Sequence, residues 1–137
     1  SREQENAWNA ALDYGYSIVL STVAREITAC GYSTQLGVFH DNMFNKLNLA
    51  CDLVEPFRPL VDHAVRQMAP EKLEHDEKMQ LVQILNRQIL IEGSRQYMLN
   101  AIRIFVKSAL DAMREENISS VRWPVYELQI YANDDFL

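Results

Sequence analysis

Across residues 7–30 apolar side chains return at helical spacing, at Leu12, Tyr16, Val19, Val23 and Ile27, and Gly31 follows where a left-handed C-terminal cap would sit. A helix of that length sets the scale of the fold, because everything else must bring apolar faces to one long cylinder. Gly15 falls inside it and interrupts it at most mildly. Residues 32–45 are small and polar and predict a loop, with a second helix starting around Lys46 to Asn48. Pro56 and Pro59 lie inside that helix and lack amide hydrogens, so the carbonyls of Asp52 and Glu55 lose their usual partners and the helix is expected to kink. Pro70 ends the element, and residues 74–86 read as a short third helix. Residues 88–91 and 95–98 flank Gly93 like a small hairpin, although a continuous apolar run is equally compatible with a helix. Residues 97–116 form an amphipathic helix through Ile102, Phe105, Val106, Ala109 and Met113, and residues 121–131 are extended and aromatic. The expected fold class is mostly α: one helical domain over residues 1–137 with a short hairpin and an extended C-terminal tail, disordered over 132–137.

At 137 residues one domain is expected, able to bury roughly two-thirds of its unfolded surface. No apolar run approaches the roughly 18 residues that span a bilayer, so no membrane partner is expected. The sequence opens on Ser1-Arg2-Glu3 without a methionine or a basic-then-apolar leader, and reads as a piece of something longer. Cys30 and Cys51 are expected as reduced, buried thiols in a cytoplasmic protein. The net charge of −6 by itself argues against nucleic acid, yet Lys46, Arg58 and Arg66 all fall near one polar, asparagine-rich stretch.

That stretch, Gly37 to Asp62, holds His40 and Glu55. Neutral imidazole and carboxylate oxygen suit Mg²⁺, Mn²⁺ or Zn²⁺ according to the remaining ligands. Asp52, three residues before Glu55, shares its helical face and can bind a ligand water or orient His40. From spacing alone a plain structural His–Glu pair is the commoner arrangement, with the metal site as the alternative. The neighbours have two readings each. Asn42 and Asn45 either hydrogen-bond a sugar or phosphate or cap the second helix; Arg58 either meets a phosphate or pairs with Asp62; Lys46 either meets a phosphate or is simply solvated. Trp8, Tyr14, Tyr16 and Phe57 are expected in the core rather than stacked on bases.

The strings N-A-A-L-D-Y-G-Y at Asn9 to Tyr16, R-E-I at Arg25 to Ile27, G-V-F-H-D-N-M-F-N at Gly37 to Asn45 and N-L-A-C-D-L-V-E-P-F-R-P-L-V-D at Asn48 to Asp62 resemble the helical C-terminal domain of the CRISPR spacer-acquisition integrase. The E-P-F-R-P-L-V-D form is similar to type II systems in particular. The resemblance is continuous over the first half of the chain; beyond Pro70 only the helical pattern is alike.

What this resemblance implies is a metal-dependent endonuclease and integrase that inserts spacers into CRISPR arrays. It implies Mg²⁺ or Mn²⁺ held by His40 and Glu55 with Asp52 beside them as a catalytic acid, and DNA met by Lys46, Arg58, Arg66, Asn42 and Asn45. A further glutamate of the family, in an R-E-G type motif, is expected before Ser1, as is a β-rich N-terminal domain that forms a homodimer. The implied partners are double-stranded DNA, as spacer precursor and repeat, and a second small CRISPR adaptation subunit. Two rivals remain: a non-catalytic helical module that docks a partner, and an unrelated helical metalloprotein.

Overall fold

The computed structural model describes residues 1–31 and 43–126, with 43–47 described in backbone alone. The expected loop with His40 and Asn42, and the expected tail over 127–137, lie outside the described residues.

The first helix, α1, spans Arg2–Ala29, and Ser1 caps it through a reciprocal box with Gln4. Cys30 closes it with its amide on the Glu26 carbonyl, and Gly31 takes the left-handed conformation its position predicts, at φ 71°. Its buried face is a ridge at intervals of four, Ala7, Ala11, Gly15, Val19, Val23 and Ile27, with Thr22 beside it. Such i±4 ridges pack into the grooves of neighbouring helices, and α1 lies against every other helix described below.

The second helix, α2, spans Met43–Val54, three residues earlier than Lys46. The apolar period Met43, Leu47, Ala50, Val54 continues back through the polar stretch and carries the helix with it. Asn45 therefore lies inside the helix and does not cap it. The expected kink takes the form of a full break: a 3₁₀ turn over Glu55–Phe57 separates α2 from α3, Arg58–Met68. Pro56 and Pro59 fall in the first positions after each break, where a missing amide hydrogen costs least. Ala69, left-handed at φ 43° ahead of Pro70, ends α3.

A short helix α4, His75–Val82, runs into a 3₁₀ turn at Gln83–Asn86. The hairpin reading then holds: β1, Gln88–Ile91, pairs antiparallel with β2, Ser94–Tyr97, from Gln88 opposite Tyr97 to Ile91 opposite Ser94. Glu92 and Gly93 both have positive φ, the requirement of the two-residue turn that suits strand twist. The last helix, α5, spans Met98–Glu115 and buries Ile102, Phe105, Val106 and Ala109 as expected. Met113, expected on the apolar face, is 38% exposed, because it sits at the edge of that face. After a 3₁₀ turn at Ile118–Ser120 the chain is extended, and the Val125 amide donates to the Leu90 carbonyl at 2.8 Å.

The core gathers Val19, Val23 and Ile27 of α1 with Phe57, Leu60, Val61, Ile89, Ile91, Ile102 and Phe105. Phe57 is fully buried as expected, while Trp8, Tyr14 and Tyr16 are half-buried on its margin. Both cysteines are free, and Cys51 is exposed rather than buried. Among the described residues no helix is long and apolar enough to cross a membrane.

Gly15 is no interruption but the point where α3 closes on α1. A Cβ there would stand 2.6 Å from Val61 Cγ1, and a β-branched side chain on a helix has little freedom to move aside. Gly15→Ala is expected to destabilise by about 1–2 kcal/mol, overpacking outweighing the gain in helix propensity. The double variant with Val61→Ala should recover part of the loss in a denaturant titration. An unchanged midpoint for Gly15→Ala would show that the two helices part without cost.

Candidate functional site

The break between α2 and α3 faces α1 across a groove of about 260 Å³ lined by Asp13, Tyr16, Ser17, Leu20, Cys51, Val54, Glu55 and Arg58. Helical spacing explains both walls. Asp13, Tyr16, Ser17 and Leu20 follow one another at intervals of three, one and three on α1, beside its buried ridge. Cys51, Glu55 and Arg58 follow at four and three on the other wall. Pro56 and Phe57 hold the turn between the two polar residues: Phe57 is sunk in the core, and the Pro56 carbonyl accepts from the Tyr126 hydroxyl. Glu55 and Arg58 are left pointing outward on either side of that anchor.

Arg58 is the hub. Its Nη1 donates to Glu55 Oε1 at 2.9 Å, and its guanidinium lies 4.4 Å from the centre of the Tyr16 ring. The Tyr16 hydroxyl in turn donates to Asp62 Oδ1. Arg58 thus pairs with Glu55, not with Asp62 as the sequence alternative had it, because Tyr16 occupies the Asp62 carboxylate. Burial, and then the hydrogen bond to Asp62, push the Tyr16 phenol above its ordinary value, so it remains a donor. The hydrogen bond to Glu55, and then Tyr16, make Arg58 a still firmer cation.

The groove is acidic. Asp13 and Glu55 line it, Asp62 stands behind Tyr16 and the exposed Asp52 lies one turn before Glu55, against Arg58 as the lining cation. Such a surface attracts cations and repels a phosphate unless positive charge is brought to it. Its carboxylate oxygens are the hard donors that Mg²⁺ or Mn²⁺ prefers. Yet no group of three His, Cys, Asp or Glu side chains able to hold an ion occurs among the described residues. The described donors do not close a metal site by themselves.

The structure brings together Glu55 and Arg58, with Asp52 a turn away. His40 and Asn42 lie outside the described residues; Asn45 and Lys46 are in the first turn of α2 with backbone alone described. Arg66 is not beside the motif: it occupies the last turn of α3, eight residues past Arg58 and so about 12 Å further along the axis. Tyr16, expected in the core, lies at the groove instead; Asp62, expected as a partner of Arg58, accepts from Tyr16; and Asp13 was not expected at a site at all. The available signal was the polar stripe Asp13, Tyr16, Ser17 running beside an apolar one on the same helix.

A family model described as CRISPR associated protein Cas1 matches residues 1–103. The chain is 35% identical over 129 residues to the CRISPR-associated endonuclease Cas1 of Neisseria meningitidis serogroup C (strain 8013), a match covering 90% of this chain and 42% of the relative. It is 29% identical over 107 residues to the CRISPR-associated endonuclease Cas1 1 of Francisella tularensis subsp. novicida (strain U112), covering 75% of this chain and 33% of the relative. A CRISPR-associated endonuclease Cas1 2 of Pyrobaculum aerophilum is 35% identical over 72 residues, 51% of this chain and 24% of the relative. The chain spans less than half the length of these relatives.

Proposed function

The chain belongs to the CRISPR-associated protein Cas1 family, and from that premise we propose that it is the helical C-terminal catalytic domain of a type II-like endonuclease and integrase that inserts spacers into CRISPR arrays. One observation carries the reading beyond family membership. The two strings that bear the resemblance, Asn9 to Tyr16 and Asn48 to Asp62, are far apart in sequence, yet Tyr16 of the first meets Arg58 and Asp62 of the second in one open groove.

In this reading His40 and Glu55 are ligands of Mg²⁺ or Mn²⁺, with Asp52 as the adjacent acid and the remaining ligand from the part of the protein that carries the R-E-G type glutamate. The bound ion would lower the cost of developing charge on an attacking hydroxyl and on the phosphorus. The chain's own contribution is placement. Glu55 and the Tyr16 ring fix the Arg58 fork, and Tyr16 is fixed by Asp62, so the guanidinium is oriented before a phosphate arrives and loses little freedom on binding it. Asn42, Asn45 and Lys46 are further contacts to sugar or phosphate at the start of α2. Double-stranded DNA is the substrate, and a homodimer formed through a β-rich domain, with a second small adaptation subunit, completes the assembly.

Arg58→Ala tests this in the complete protein. It is expected to lower integration about 10–100-fold, similarly on different DNA sequences, and to flatten the log–log salt dependence of duplex binding by about one unit. Fluorescence anisotropy over a salt series reads the slope. An unchanged slope with a lowered melting temperature would assign Arg58 to its pair with Glu55 and to nothing else.

A further inference from the structure

The last described segment of the chain returns to the turn that carries Glu55 and Arg58. Beyond the 3₁₀ turn at Ile118–Ser120 the backbone is extended, and alternation sends Val121 and Trp123 to one side and Arg122 to the other. Val121 and Trp123 line an apolar hollow with Leu53 and Phe105, so the segment lies over α5 beside the end of α2. Arg122 is tied twice: its amide donates to Ser108 Oγ at 2.9 Å, and its Nε meets Glu92 Oε1 at 2.8 Å. The Val125 amide is held by the Leu90 carbonyl. The next residue, Tyr126, donates its hydroxyl to the carbonyl of Pro56, 70 residues earlier.

The Pro56 carbonyl is a place where such a donor counts. In a 3₁₀ turn each carbonyl accepts from the amide three residues on. Glu55 has that bond, from the Arg58 amide. Pro56 cannot have it, because residue 59 is a proline and carries no amide hydrogen. The prolines that break the helix thus leave the middle of the turn without that donor, and the Tyr126 hydroxyl supplies one.

The same segment grips the turn a second time. Trp123 lies on Phe105, whose ring meets Phe57 edge-on, so one stretch of chain reaches Phe57 through the core and Pro56 through the phenol. The Phe57 ring sets how deep the turn sits; the bond to the neighbouring carbonyl sets its rotation about that ring. Rotation decides where Glu55 and Arg58 stand, since they leave the turn on either side of Pro56 and Phe57. Their own ion pair cannot do this, because it joins two exposed side chains to each other and not to the fold.

We infer that Tyr126 is a positioning residue for the proposed reaction, its hydroxyl fixing the Pro56 carbonyl and through it the placement of Glu55 and Arg58 in the groove. Tyr126 has this role only if Glu55 and Arg58 serve as proposed above, and it stands beyond residue 103, where the family model's match ends.

The test is Tyr126→Phe in the complete protein, which removes one hydroxyl and keeps the ring against the core. Strand transfer at saturating duplex is expected to fall about tenfold, while the KM for duplex changes less than about threefold. Mn²⁺ binding, read from the electron paramagnetic resonance of the free ion, is expected to weaken about three- to tenfold, as for a ligand whose support is lost. Ile102→Val, a core change remote from the turn, is the stability control: thermal melts put both variants on one scale, and its rate and Mn²⁺ affinity should stay at the wild-type values. Wild-type rate and Mn²⁺ affinity in Tyr126→Phe overturn the inference, and so does a loss no larger than that of Ile102→Val at an equal melting temperature. If Tyr126→Phe is fully active while Glu55→Ala is inactive, the proposed function stands and only this positioning role falls; if Glu55→Ala keeps full strand transfer, both fall.

Discussion

Glu55→Ala and His40→Ala, each made in the complete protein, are expected to reduce strand transfer by at least about 10²–10³-fold while hardly moving the melting temperature. For Glu55 the structural side follows from its surroundings: the side chain is 61% exposed and its partner Arg58 is three residues away on the same face. An exposed pair of that kind contributes only about 0.3–0.5 kcal/mol. The informative variant is Glu55→Gln. Its amide oxygen can still accept from Arg58, so if Glu55 only orients that guanidinium, activity largely returns; if Glu55 binds a cation, the glutamine variant is as inactive as the alanine one, because a neutral amide is a poor substitute for carboxylate in a hard-cation site. Integration assays and thermal melts on the three variants decide it. Full activity in Glu55→Ala and His40→Ala together would remove both from the ligand set.

How much of this was legible in the sequence depends on range. The helices were readable because their signals are local: the interval-of-four ridge of α1, Gly31 at its end and Pro70 after α3 each act within a few residues, whereas Gly93 suggested the hairpin over an apolar run that suited a helix equally. The start of α2 was misplaced because Asn42 and Asn45 look like loop while the apolar period through Met43 and Leu47 looks like helix, and the period won. Contacts between elements were not legible. Nothing in spacing says that Tyr16, which reads as core, lies half-open under the Arg58 guanidinium, or that it takes Asp62 and so hands Arg58 to Glu55. Gly15 is the same lesson at the level of packing: alone it reads as a weak point in a helix, and only the neighbouring Val61 shows that the missing side chain is what lets α3 approach. Arg66 was placed with the motif because it is near in sequence. Eight further helical residues carry it to the last turn of α3 instead.

Phe57 links fold to site, and Phe57→Ala is expected to cost about 3–5 kcal/mol. The ring is fully buried, its centroid 5.6 Å from that of Phe105 in an edge-on contact, and Phe105 lies 5.2 Å from Trp123. In a chain of 137 residues a loss of that size lowers the melting temperature by roughly 10–20 °C. Phe57→Leu keeps the apolar anchor and should cost less than about 2 kcal/mol. A double-mutant cycle with Phe105→Leu isolates the aromatic contact itself, for which a coupling of about 0.5–1.5 kcal/mol is expected. The consequence for function follows from position. Phe57 is the one side chain of the 3₁₀ turn that faces inward, and Glu55 and Arg58 flank it facing out, so the depth at which the ring seats sets where both polar groups stand in the groove. Phe57→Leu is accordingly expected to lose more integration activity than stability, whereas a core change remote from the turn, such as Ile102→Val, loses a little stability and no activity. Equal activity in Phe57→Leu and wild type, with the melt lowered, would mean that the two prolines alone hold the turn in place.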